Sequence, residues 1–151
     1  MAHQRISLLG VGTLLHFSGW TPCAARYAGI DGLPNFLKHS LAFCYGSEAK
    51  GSASAALEEG RICGVQAISG TGALRVAGEF LRRFVGAGSP IYLPMPTWAN
   101  HVPIFKDAGL DVRGYSYYDP NTRGLDFAGM LGDVARAPKG SAFLLQCVIH
   151  P

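Results

Sequence analysis

Between residues 62 and 149 short apolar runs alternate with stretches whose apolar residues return at helical spacing. That alternation is what most restricts the fold. Residues 62–68 read as a strand. Over 73–85, Ala77, Phe80, Leu81 and Phe84 fall at i, i+3, i+4 and i+7, one face of a helix. Arg82 and Arg83 sit in its last turn, where positive charge suits the helix dipole, and Gly86 ends it. Residues 90–93 read as a second strand. Thr97 suits the N-cap of a helix over 98–108 that Gly109 closes. Residues 111–115 are a third strand. Asp126 is placed to cap a helix with Phe127, Met130, Leu131 and Val134 at the same spacing, and 141–149 form a fourth strand. This order predicts a layered α/β domain with a mostly parallel sheet. Ligands in such sheets bind at the carboxyl ends of the strands. Ser69, Trp98 and His150 each follow a predicted strand.

Upstream, 33–45 reads as a helix with Phe36, Leu37, Leu41 and Cys44 on one side and Pro34 in its first turn. Residues 46–54, rich in Gly, Ser and Ala, read as a surface loop. Residues 1–26 are atypical: no Asp or Glu occurs before Asp31, and Arg5 precedes an apolar run over 6–15. That run is too short to span a bilayer, so no membrane role is read from it. A secretory signal or an organelle transit peptide fits it, but a buried strand or an aberrant start is the reading favoured.

With 151 residues, 48% apolar and 15% charged, the chain is about one domain that buries much of its surface. Its net charge of +3 comes from scattered Lys and Arg with no basic stripe, which argues against nucleic-acid binding. Cys23, Cys44, Cys63 and Cys147 form no C-x-x-C pair, so no metal site or redox motif is expected, and reduced, mostly buried thiols are.

Two short segments carry the chemistry. Ser69-Gly70-Thr71-Gly72 follows a predicted strand and opens a helix. Unpaired N–H groups and the partial positive charge of a helix start favour an anion there, and the glycines admit close approach. A glycine-rich turn with a hydroxyl cap fits the same residues. No Gly-Lys-Ser/Thr closes the run, and Arg75 stands where a dinucleotide fingerprint needs its third glycine. Trp98, at the first turn of a predicted helix, is placed either to stack on a flat ligand or to fill the core. His101 lies three residues on, near the same face.

The runs Ser-Gly-Thr-Gly-Ala-Leu-Arg at 69–75 and Pro-Thr-Trp-Ala-Asn-His at 96–101 resemble the aspartate aminotransferases of the class I pyridoxal-phosphate (PLP) family. So do Tyr-Ser-Tyr-Tyr-Asp-Pro at 115–120, Gly-Leu-Asp-Phe at 124–127 and Tyr-Ala-Gly-Ile-Asp-Gly-Leu at 27–33. The resemblance implies a partial fold type I large domain over 27–151, a mostly parallel sheet with helices on both faces. It implies that Ser69, Gly70 and Thr71 hold the phosphate of PLP. Trp98 would stack on the pyridine ring and border the substrate. His101 would support the aspartate that faces the ring nitrogen. Tyr27 would reach the cofactor of the other subunit of a homodimer.

The expected reaction moves an amino group between aspartate and 2-oxoglutarate, in cytosol or mitochondrion. None of Lys38, Lys50, Lys106 and Lys139 matches the lysine that binds PLP as a Schiff base, and no substrate-clamping arginine is matched. No catalytic residue is therefore assigned. The domain is expected to stop short of that lysine, and the chain alone is expected to be inactive. The rival expectations are a non-catalytic fragment or module that associates with an intact aminotransferase subunit, and a nucleotide-binding α/β domain.

Overall fold

The computed structural model describes residues 28–46 and 52–146, apart from the side chains of 52 and 53. Tyr27, His150, residues 1–26, Cys23 and Cys147 lie outside them. The described residues fall into two compact units, divided between Ala73 and Leu74.

In the first unit, helix α1 (Pro34–Tyr45) starts with Pro34 in its opening turn, as expected. Phe36, Leu37, Leu41 and Cys44 are all partly buried, which confirms the predicted side. Helix α2 (Ser52–Glu58) begins inside the stretch expected to be a loop, where alanines favour helix.

The expected strand over 62–68 does not form. Gln66 N–H donates to the Asp31 carbonyl at 2.8 Å, and the Gln66 side-chain oxygen accepts the Leu33 N–H at 2.9 Å. Those bonds tie the segment to the loop before α1 instead of to a ladder. Gly64 packs on Leu37 and Leu41, while Cys63 next to it is exposed, contrary to the buried thiol expected.

The first turn of helix α3 (Ser69–Phe84) also belongs to this unit. The helix starts four residues earlier than its apolar spacing suggested. The glycine-rich run is therefore its opening turn rather than a loop ahead of it.

The second unit is a sheet with helices on both faces. Strand β1 (Pro90–Met95) is central. It pairs in parallel with β2 (Asp111–Ser116), from Pro90 opposite Asp111 to Met95 opposite Ser116. On its other side it pairs in parallel with the two-residue β5 (Ala142–Phe143). A parallel strand covered on both faces must be apolar throughout, and Ile91, Tyr92, Leu93 and Pro94 are all buried.

Ile91 and Leu93 face one way. They join Phe105 and Leu110, with Leu74 and Leu81 of α3 and Val102 of helix α4 (His101–Asp107) packed around them. Each such side chain contributes about 1.5–3 kcal/mol on full burial. Tyr92 faces the other way, with Tyr115, Tyr117, Phe143 and Met130 of helix α5 (Phe127–Arg136).

Three expectations need correction here. Helix α4 begins at His101, not Trp98, and its N-cap is Asn100 rather than Thr97. The fourth strand is paired only at Ala142 and Phe143 among the described residues. Of the apolar stripe of α5, Met130 packs on the sheet while Phe127, Leu131 and Val134 are exposed. Polar contacts fix that helix instead. Asp126 caps it as predicted, accepting the Gly129 N–H at 2.8 Å. Asp133 accepts the Ser116 N–H at 2.7 Å, so the edge bearing Gly129, Met130 and Asp133 meets the end of β2. A small hairpin, β3 (Tyr118–Asp119) with β4 (Gly124–Leu125), connects β2 to α5.

Two outcomes follow. A methyl group at Gly78 would sit 2.9 Å from the Ala108 Cβ and 3.3 Å from a Phe105 ring carbon. Gly78→Ala gains about 1 kcal/mol of helix propensity but overpacks a rigid contact at about 1–3 kcal/mol. A lower urea midpoint is expected, and a higher one would contradict the packing. The Asp133 carboxyl is held below its ordinary pKa of 3.8, first by the Ser116 backbone N–H, then by the Ser116 side chain and Arg136. Its contribution is therefore complete above 3.8 and lost as pH falls through the lower folded value. Asp133→Asn should flatten that part of the stability–pH curve; an unchanged acid limb would contradict it.

Candidate functional site

Ser69, Gly70 and Thr71 form the first turn of α3. Helix geometry leaves their three N–H groups without an acceptor inside the helix. The next one, of Gly72, already bonds the Ile68 carbonyl at 3.1 Å. Ser69 and Thr71 are exposed. A Cβ built on Gly70 meets nothing within 4 Å, so the backbone there faces open space. No acidic residue occupies this first turn. Ser69 has φ +60°, a left-handed conformation that costs a side-chain-bearing residue about 1–2 kcal/mol. Strain of this kind is kept where function needs the geometry. Open amides, two hydroxyls and no opposing charge fit a phosphate.

Trp98 lies just past the carboxyl end of β1, as expected, but in the turn before α4 rather than in the helix. The His101 N–H donates to the Trp98 carbonyl at 2.9 Å and closes that turn. The His101 imidazole meets the indole edge-on, with centroids 5.3 Å apart at 83°. At 39% exposure Trp98 is not a core residue. Its indole is braced on one side and accessible, as a stacking plate must be.

His101 Nδ1 is 2.7 Å from the Thr97 hydroxyl. This contact, not the helix cap expected of Thr97, is the role its hydroxyl plays, and its four-residue spacing from His101 is the one signal of it in the sequence. The structure thus brings Thr97, Trp98 and His101 together in one unit, and Ser69, Gly70 and Thr71 together in the other. Residues 61–67, which lead into Ser69, form no strand, contrary to expectation. Among the described residues no cluster of His, Cys, Asp or Glu could hold a metal ion. None of their helices is long and apolar enough to cross a membrane.

The family model described as aminotransferase class I and II matches residues 21–151. The chain belongs to this family. It is 45% identical over 125 residues to the mitochondrial aspartate aminotransferase of Xenopus tropicalis, covering 83% of this chain and 28% of that protein. It is 48% identical over 125 residues to the cytoplasmic aspartate aminotransferase of Oryza sativa subsp. japonica, covering 83% and 29%. The aspartate aminotransferase from Saccharomyces cerevisiae cytoplasm superposes with a TM-score of 0.72 at 39% identity, over 80% of this chain and 28% of that one. The chain thus spans less than a third of the length of these relatives. Aminotransferases of this family work with PLP, and the parallel sheet agrees with part of their fold type I domain.

Removing the Thr97 hydroxyl tests the constellation. Thr97→Val should change the balance of imidazole tautomers at His101, read from its ring ¹⁵N shifts. Identical ring shifts in both proteins would show that the contact does not orient the imidazole.

Proposed function

We propose that this chain supplies the phosphate cup and the ring-facing wall of a PLP-dependent aspartate aminotransferase. The observation that carries the reading is the opening turn of α3, where unpaired amides, the Ser69 and Thr71 hydroxyls and a strained φ at Ser69 coincide with open space at Gly70. When bound, PLP supplies an electron sink for amino-group transfer. In this reading Ser69, Gly70 and Thr71 bind the phosphate, and the dipole of α3 adds attraction for its charge. Trp98 stacks on the pyridine ring and borders the substrate. Thr97 fixes the imidazole of His101, which keeps the indole in place and supports the aspartate facing the ring nitrogen. Tyr27 reaches the cofactor of a second subunit in a homodimer. The substrate pair is aspartate and 2-oxoglutarate, and residues 27–151 belong to the cofactor-binding large domain.

No lysine of the chain is assigned to hold PLP covalently. Lys38, Lys106 and Lys139 are exposed, and Lys50 lies outside the described residues. The 151-residue chain is accordingly assigned reversible PLP binding without transamination. A second reading, association with an intact aminotransferase subunit, is favoured by the exposed stripe Phe127, Leu131 and Val134. Co-purification with such a subunit distinguishes it.

The test is equilibrium dialysis of the chain with PLP and with pyridoxal, which lacks the phosphate. Pyridoxal should bind at least about tenfold more weakly, since charge-assisted hydrogen bonds are each worth about 1.5–3 kcal/mol. Ser69→Gly relieves the strain and removes the hydroxyl. It should stabilise the fold slightly while weakening PLP binding several-fold. Equal affinity for the two ligands would overturn the cup, and aspartate-dependent turnover by the chain would overturn the assignment of inactivity.

A further inference from the structure

The run Tyr115-Ser116-Tyr117 has no part in the cup or the stacking wall, yet two of its side chains reach across the sheet. Among the described residues strand β5 pairs with β1 at Ala142 and Phe143, followed by a ladder-like bond from the Leu144 N–H to the Tyr92 carbonyl at 2.9 Å. Two phenols bond the residues that follow. The Tyr115 hydroxyl donates to the Leu144 carbonyl at 3.0 Å, and the Tyr117 hydroxyl donates to the Gln146 carbonyl at 2.7 Å. Both rings are buried, at 2% and 8% exposure, and they meet edge-on with centroids 6.2 Å apart. The two donors come from β2 and the residue after it, so they span the width of β1 to hold the next strand.

We propose that Tyr115 and Tyr117 are positioning residues. Their hydroxyls, beyond the two ladder pairs of β5, help set the course of residues 144–146 at the carboxyl edge of the sheet, and so fix the strand end against which a ligand at that edge is held. The geometry suits the task. A ladder bond fixes a strand only against its neighbour, whereas a phenol reaches one strand further. The acceptors are carbonyls, so each bond needs the phenol proton. A phenol is protonated across the neutral range, and burial raises the Tyr115 pKa further, to about 12. The titratable and charged groups facing the pair are each other, Tyr92 of the same cluster, and Arg113, which donates to the Tyr92 hydroxyl at 3.3 Å. That this edge takes PLP rests on the function proposed above.

The experiment compares Tyr117→Phe and Tyr115→Phe with Ile91→Val, a core change on the opposite face that serves as a control for lost stability. Each phenylalanine removes one oxygen and keeps the ring. Amide exchange at Leu144 should rise about fivefold in each tyrosine variant, beyond the rise in the control at an equal shift of urea midpoint. Dialysis should show PLP binding weakened about fivefold by Tyr117→Phe and unchanged by Ile91→Val. Exchange at Leu144 no faster than in the control overturns the brace. Faster exchange with unchanged PLP affinity overturns the positioning role. If the unaltered chain does not bind PLP, the function proposed above fails, and the exchange comparison still decides the brace.

Discussion

The packing of the sheet unit hangs on one strand. β1 pairs on both sides, over six residues with β2 and two with β5, and buries four consecutive residues. Its two faces nucleate two different cores. Ile91 and Leu93 gather aliphatic side chains and Phe105 on one side, while Tyr92 gathers tyrosines and Phe143 on the other. The Tyr92 and Phe143 rings stack nearly parallel, 4.7 Å between centroids, so the weakest pairing in the sheet is supported by its closest aromatic contact. Because β1, β2 and β5 run in the same direction, their carboxyl ends share one edge. Trp98 and its neighbours follow directly from that edge. The placement of the aromatic plate is thus a consequence of strand direction.

Much of this was legible in the amino-acid sequence because it rests on local rules. The strands at 90 and 111, the Asp126 cap and the close of α3 at Gly86 each depend on a few neighbouring residues. What failed depended on partners. Residues 62–68 carry a strand-like composition, but a strand needs a ladder, and Gln66 spends its hydrogen bonds on the loop before α1. The α5 stripe repeats at helical spacing, yet Asp133 and the close approach of Gly129 to Ser116 turn a different edge inward. Hydrophobic periodicity identified the helix correctly but only Met130 of its stripe is on the buried side, because polar contacts with the end of β2 decided the rotation. At the candidate site, Ser69, Gly70, Thr71, Trp98 and His101 were all named from motif resemblance. The Thr97 hydroxyl was not, since a threonine ahead of a helix reads first as a cap.

The two edges of the sheet are built by different means, and the difference bears on function. The connections that lead from a helix into a strand turn at glycines with positive φ: Gly86 and Gly88 before β1, Gly109 before β2 and Gly140 before β5. These are backbone solutions. They close a chain reversal tightly and present few side chains. The connections that leave the strands are held by side chains. Thr97 meets His101, Tyr117 reaches Gln146, Asp119 closes the hairpin turn through Asn121 and Thr122, and Asp126 and Asp133 seat α5. A side-chain bond fixes its segment only as long as the residue is kept, but it lets each connection be set independently of the fold. Loops on a rigid scaffold are where binding groups concentrate, and in parallel sheets they do so at the carboxyl edge. The concentration of polar bracing at that edge is the physical counterpart of that rule. It orients Trp98 and His101 at the cost of a few hydrogen bonds, while the opposite edge turns at glycines, with the Ser141 hydroxyl bonded to the Pro138 carbonyl at 2.6 Å before β5.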